Sequence, residues 1–161
     1  MSSFDRITAM VEEKNHPSYP LTRDSIKYVN VVVDPTNQWN TRVTMQSKAG
    51  SSYTGQVELL YTRSNLTALG TLEFSQEAPF TIDQLCTAIN AAKAAQISAE
   101  DLSNTSIPVM DTGVVTTFTI SATTGSLVWL GNTQVSLLTG IPAKAPELSN
   151  FLNNLAADLF A

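Results

Sequence analysis

A nucleophilic triad needs an imidazole, and this chain has one histidine, His16. It stands in the segment HPSYP, where two prolines bias their predecessors toward extended backbone and nothing holds the ring beside a serine. Cys86 is the only cysteine, which excludes an intrachain disulfide and a multi-cysteine metal centre. It falls on the apolar stripe of a helical pattern, where a thiol behaves as a small hydrophobe. Neither a G-x-S-x-G elbow nor a P-loop occurs, and the 7 glycines are scattered singly at turn positions. Asp34-Pro35-Thr36-Asn37 lacks the remainder of a calcium loop and reads as a turn. Glu100 and Asp101 are adjacent acids of the kind general acid–base pairs use, but Ser98 three residues before Asp101 makes a helix-start signal that accounts for both. The expectation is no catalytic residue, no cofactor and no metal ligand set, hence not an enzyme.

The charge balance narrows the partners. Nine basic residues against 14 acidic ones give a net charge of −5, with no basic patch to release counterions from a phosphate backbone, so nucleic acid is not expected. Hydrophobic residues make up 43% of the 161 and charged ones only 14%. Ser, Thr, Asn and Gln, about a third of the chain, supply a neutral polar surface instead. No apolar run approaches the ~20 residues that cross a bilayer, so no membrane partner is expected. The opening MSSFDRITAMVEEKN has neither a basic n-region nor a long apolar h-region, and a cytoplasmic protein, or one released by lysis, is expected. Asn65-Leu66-Thr67 and Asn104-Thr105-Ser106 match the glycosylation pattern, as chance allows in so Asn- and Thr-rich a sequence.

These residues must be carried by elements that the periodicity marks out. Phe4, Ile7, Met10 and Val11 recur at helical spacing behind a Ser2 or Ser3 cap, predicting a short helix over 3–13. The HPSYP segment then reads as a linker or arm. Strands are expected over 26–33, 41–47 and 55–62, joined by short turns as an antiparallel meander, with a further extended stretch within 69–74. Thr81 with Gln84 makes a capping box, and Phe80 with Leu85 the matching hydrophobic staple. A helix over about 82–95 follows, burying Ile82, Leu85, Cys86, Ile89 and Ala92. Strands return over 114–121, 127–130 and 133–138. Tyr53-Thr54-Gly55 and Trp129-Leu130-Gly131 each set an aromatic and a glycine before an alternating strand, one local solution to a strand bend used twice. After Pro146, an apolar face of Leu148, Phe151, Leu152, Leu155 and Leu159 predicts a C-terminal helix.

The order of Asn40-Thr41-Arg42-Val43, Gly50-Ser51-Ser52-Tyr53-Thr54-Gly55 and Tyr61-Thr62-Arg63-Ser64-Asn65-Leu66 resembles a family of small tailed-bacteriophage virion proteins. It continues through Phe80-Thr81-Ile82-Asp83-Gln84-Leu85, Ile97-Ser98-Ala99-Glu100-Asp101, the pair Phe118 to Ala122 and Ser126 to Gly131, and Val135-Ser136-Leu137. The resemblance spans about residues 26–138 and departs from the family at Thr62 and Ser64, which bears on the contacts around Arg63. It implies a virion component and supplies no catalytic residues.

The expected fold is α+β: an antiparallel Thr-rich sheet or small sandwich with the 82–95 helix packed on it and short helices at both ends. Residues 1–20 would form an N-terminal helix and proline-containing arm, 21–140 the core domain, and 141–161 the C-terminal amphipathic helix. The expected function is a non-enzymatic structural subunit of a tailed-phage virion, in its tail, neck, baseplate or capsid surface. Such a subunit would contact other copies of itself and other virion proteins after assembly in the host cytoplasm. Phe4, Ile7, Val11, Leu148, Phe151, Leu152, Leu155 and Leu159 are the candidate assembly interface. The alternative is a module binding a host glycan or receptor through Tyr53, Trp39 or Trp129, which a cleft shared by exposed aromatics would favour.

Overall fold

A computed structural model describes residues 1–36, 38–76, 80–111 and 113–139. The expected C-terminal helix, with Leu148, Phe151, Leu152, Leu155 and Leu159, lies outside the described residues. Helix α1 (Ser3–Asn15) starts where the Ser2 hydroxyl accepts from Asp5 N and the Asp5 carboxylate accepts from Ser2 N. It ends at His16, whose φ of 45° turns the chain into the left-handed region while its N–H caps Glu12 O.

The face of α1 expected to meet partners is already in use. Ile7 is only 5% exposed, and Phe4 and Val11 are half-buried against the same apolar cluster. Ile7 is thereby withdrawn from the expected assembly interface, because the sheet behind α1 offers apolar area that a free helix would otherwise leave in water, while Phe4 and Val11 keep part of their surface in solvent. The proline-containing segment is not a free arm either. Leu21 is buried, its N–H bonds Glu12 Oε1 at 2.6 Å, and the Tyr53 hydroxyl donates to Tyr19 O. Residues 1–20 and the core thus share one cluster.

Strands β1 (Ile26–Val33), β2 (Thr41–Ser47) and β3 (Gln56–Tyr61) form the expected antiparallel meander in the order β1-β2-β3. β1 bulges between Val29 and Val32, with Asn30 at φ 53°. Two short strands, β4 (Ser64–Asn65) and β7 (Trp129–Leu130), pair in parallel. The remaining sheet has the order β5-β8-β6, from β5 (Leu72–Gln76), β8 (Asn132–Thr139) and β6 (Val115–Ser121). β6 and β8 are antiparallel but β5 and β8 are parallel, so the α+β fold holds a mixed sheet where a wholly antiparallel one was expected. Parallel pairing needs a long crossover. Helix α2 (Ile82–Lys93) and the chain after it supply one between β5 and β8.

The α2 start is as the sequence prescribes: Gln84 N donates to Thr81 Oγ1, and Thr81 N to Gln84 Oε1 at 2.9 Å. Phe80 and Leu85 are both buried in the core, as are Ile82, Cys86 and Ile89, while Ala92 is exposed. Ala94 and Gln96, at φ 52° and 55°, end the helix two residues short of its expected limit. The paired glycine bends are also present, with Gly55 at φ 86° before β3 and Gly131 at φ 76° before β8. At Gly131 a Cβ would lie 2.5 Å from Asn65 Oδ1. That oxygen is held in place by Thr67 N and Oγ1, so the position excludes a side chain twice over.

Candidate functional site

The polar residues that come together are those of a buried junction where α1, the turn after α2, the loop before β7 and the Thr41 end of the meander meet. Asn90 on α2 bonds Ile97 through both its amide groups, Nδ2 to Ile97 O at 2.8 Å and Oδ1 from Ile97 N at 2.7 Å. This fixes the chain entering the 3-10 turn Ala99–Asp101. There Ser98 N and Oγ donate to Asp101 Oδ2 at 3.1 and 2.7 Å, and Asp101 N donates back to Ser98 O at 3.0 Å, closing the turn that Ser98-x-x-Asp101 encodes.

Asp101 does more than cap. It is 1% exposed, and its other carboxylate oxygen accepts from Ser126 Oγ at 2.8 Å and from Ser3 Oγ. Its own carbonyl accepts from Thr123 N at 2.8 Å. One side chain therefore ties the start of α1 and the loop before β7 to the turn after α2. From Ser126 the network continues to a buried cation: Arg63 Nη1 donates to Ser126 O at 2.8 Å, and Nε to Thr41 Oγ1 at 2.9 Å. Asn40 closes it by bonding both the N–H and the C=O of Arg63 at 2.8 and 2.9 Å. Burial pulls the Arg63 guanidinium below its ordinary pKa, though not far enough to discharge it. Among the described residues no carboxylate lies within ion-pair distance of it. Ser126, bonded to Asp101 by its hydroxyl and to Arg63 by its carbonyl, is the link between the two buried charges. Beside it the Tyr61 hydroxyl donates to Leu127 O at 2.7 Å, and burial pushes that phenol up to about 12.

A hollow of about 410 Å³ opens over the junction, bordered by Phe4, Arg23, Lys27, Tyr28, Lys48 and Glu100 among others. Its groups are largely committed to one another. Arg23 lies 4.5 Å over the Phe4 ring and 3.4 Å from Glu100, Glu100 also accepts from Ser3 N at 3.1 Å, and Lys48 Nζ donates to Arg23 O. Phe4 meets Tyr28 edge-on at 5.2 Å.

The two acids weighed in the sequence do line this hollow together. General acid–base work needs a carboxylate with a lone pair free for substrate, and Asp101 has four donors on its two oxygens. Ser126 donates to a carboxylate with no imidazole between, and His16 is exposed at the end of α1. What the arrangement does chemically is cross-link: it satisfies two buried charges while holding four chain segments in one register.

The other residues singled out take structural places. Asp34 Oδ1 accepts from Thr36 N and Oγ1, the expected turn. Asn65 caps the 3-10 turn Leu66–Leu69, and Asn104 bonds Thr119 O and Ser121 N along the edge of β6, so both asparagines of the glycosylation patterns carry local structure. Trp129 is 5% exposed and offers no stacking platform. Trp39 and Tyr53 lie beyond opposite ends of β2, a separation of roughly 20 Å at strand rise. They share no cleft, and Tyr53 packs instead against Tyr19 at 6.4 Å. Sequence reasoning missed Arg63, Ser126 and Ser3 as one unit. Their separations of 63 and 98 residues along the chain from their partners leave no periodic signal.

A profile of the family of unknown function DUF7941 matches residues 2–154, and the chain belongs to that family. The match takes in α1, which the resemblance over about 26–138 leaves outside. No curated protein and no solved structure matches the chain.

Proposed function

As a member of that family, the chain is, we propose, a non-enzymatic structural subunit that works through protein–protein contacts in a multi-copy assembly, a tailed-phage particle built in the host cytoplasm. The observation that carries this reading is where large apolar side chains remain in water. Val32 and Val33 on β1, Val57 and Leu60 on β3, and Val115 on β6 are exposed on strands that end their sheets. Open edges bearing apolar side chains invite pairing with another chain. The Asp101 carboxylate and the Arg63 guanidinium, which could support chemistry, are meanwhile each occupied by hydrogen bonds within the junction. The motif order over residues 26–138 supports the virion setting.

Two measurements test the reading. Sedimentation velocity on the purified full chain should show mass rising with concentration, and mass spectrometry of purified phage particles encoding it should find it in stoichiometric amount. A monomer at every concentration together with its absence from particles overturns the proposal.

A further inference from the structure

The meander ends on β3, whose main-chain bonding alternates from one residue to the next. Ser47 N donates to Gly55 O at 3.0 Å at one end, and Asn40 bonds both the N–H and the C=O of Arg63 at the other. Antiparallel ladders alternate, so Val57, Leu59 and Tyr61 bond inward to β2, while Gln56, Glu58, Leu60 and Thr62 turn their main-chain groups away from the sheet. Among the described residues none of those outward groups has a hydrogen-bond partner. The other longer edges are less open. β1 bulges between Val29 and Val32, and its Ile26 N–H is taken by Thr22 O. Ser103 and Asn104 cover β6 from Thr119 to Ser121, and in β5 Leu72 is buried and Phe74 half-buried. β3 keeps an unbroken register from Gln56 to Tyr61, with Val57 47% and Leu60 43% exposed. Met10 of α1, 49% exposed, borders a hollow of about 210 Å³ with Glu58 and Leu60. A regular, unpartnered edge flanked by apolar side chains is a surface for strand addition.

We propose that β3 pairs antiparallel with β3 of a second copy of the chain across a twofold axis, joining two meanders into one continuous sheet. The proposal rests on the assembly reading above and deepens it by naming the contact. A second copy fits because an antiparallel edge is its own complement: turned by half a rotation, it offers the same row of donors and acceptors to itself. Charge and the free groups set the register. An axis on Glu58 would put that carboxylate directly opposite its own copy, which is destabilising. An axis on Val57 would leave Thr62 outside the pairing, and one on Leu60 would set Gln56 opposite Ser64, whose N–H is already taken by Val128 O. An axis on Leu59 sets Glu58 opposite Leu60 of the second copy and Gln56 opposite its Thr62, and so engages every outward group named above. Glu58 keeps its ion pair with Arg42 at 3.8 Å on its own chain. A twofold contact closes on itself, so it yields a pair and leaves further growth to other surfaces.

Full-length chains carrying Gln56→Cys and full-length chains carrying Thr62→Cys, mixed and oxidised, test it; native Cys86 is buried and does not compete. Both positions are exposed. A disulfide-linked pair that forms in the mixture and in neither variant alone is expected, because facing Cα atoms across such a pair lie about 5.5 Å apart, within disulfide reach. Gln56→Cys mixed with Leu60→Cys should stay unlinked, and a link there would place the axis on Glu58 and overturn the proposal. Leu60→Asp, which sets a second carboxylate opposite Glu58, should weaken self-association about tenfold or more, and Leu60→Lys should weaken it less. Leu60 is exposed, so both variants should fold, and an unchanged far-ultraviolet circular dichroism spectrum checks this. If no link forms and Leu60→Asp self-associates as the parent chain does, another surface carries the assembly: the β3 pairing fails and the assembly reading stands. No self-association of the parent chain sinks both.

Discussion

Asp101 is the residue on which most of the described chain converges. Four donors from Ser3, Ser98 and Ser126 surround its carboxylate, and truncating it would strand their N–H and O–H groups in a buried place. Asp101→Ala should lower stability by about 3–5 kcal/mol, read as a fall in the urea midpoint. An unchanged midpoint would mean the junction is solvated. Two other buried groups set the alkaline limit. Burial raises the Tyr61 phenol from 10.0 to about 12, and burial aided by Asp83 and Asp101 raises the Cys86 thiol from 9.0 to about 11. Both pKa values are higher folded than unfolded, so the stability they contribute is complete below pH 9 and is lost as pH rises through about 12. Tyrosinate absorbance should therefore show Tyr61 titrating late, with Tyr28, which burial also raises, later than an exposed phenol, and Cys86 should label slowly in the native protein and fast in urea. Native labelling as fast as denatured labelling would place the thiol at the surface.

Among the elements, α2 shows how local chemistry fixes a boundary. Its cap, its returning glutamine and its staple all lie within six residues, Phe80 to Leu85, and need no partner elsewhere in the chain. Thr81→Ala should cost about 1 kcal/mol, seen as a lower denaturation midpoint with an unchanged denaturant slope. The edge of β6 is a different case. Asn104 and Ser103 bond Thr119 and Ser121, covering one half of that edge, while Val115 at the other half is exposed. Protection that stops halfway along a strand leaves a short pairing surface, consistent with a subunit whose edges meet neighbours.

At the scale of the whole molecule, the three small sheets and two α-helices of the described residues are held by one apolar cluster running from Ile7 through Val43, Leu85 and Ile120 to Leu137. Among the described residues that cluster draws its members from Ile7 to Leu137, and a chain ending at Thr139 is expected to unfold cooperatively still but to lose its self-association beyond the pair formed through β3. An unfolded truncation product would instead assign the last 22 residues to the core. The sequence by itself determined helices α1 and α2, most of the longer strands, the α2 start, both glycine bends and the burial of Cys86, because each depends on neighbours within a few residues. Only the tertiary structure decided that α1 packs on its own domain, that β5 pairs in parallel with β8, and that Asp101, Ser126 and Arg63 form one junction. Those outcomes depend on which surfaces meet after the chain closes on itself. A periodic pattern marks that a face is apolar without marking what will cover it, and a serine or arginine carries no sign of a partner 60 or more residues away.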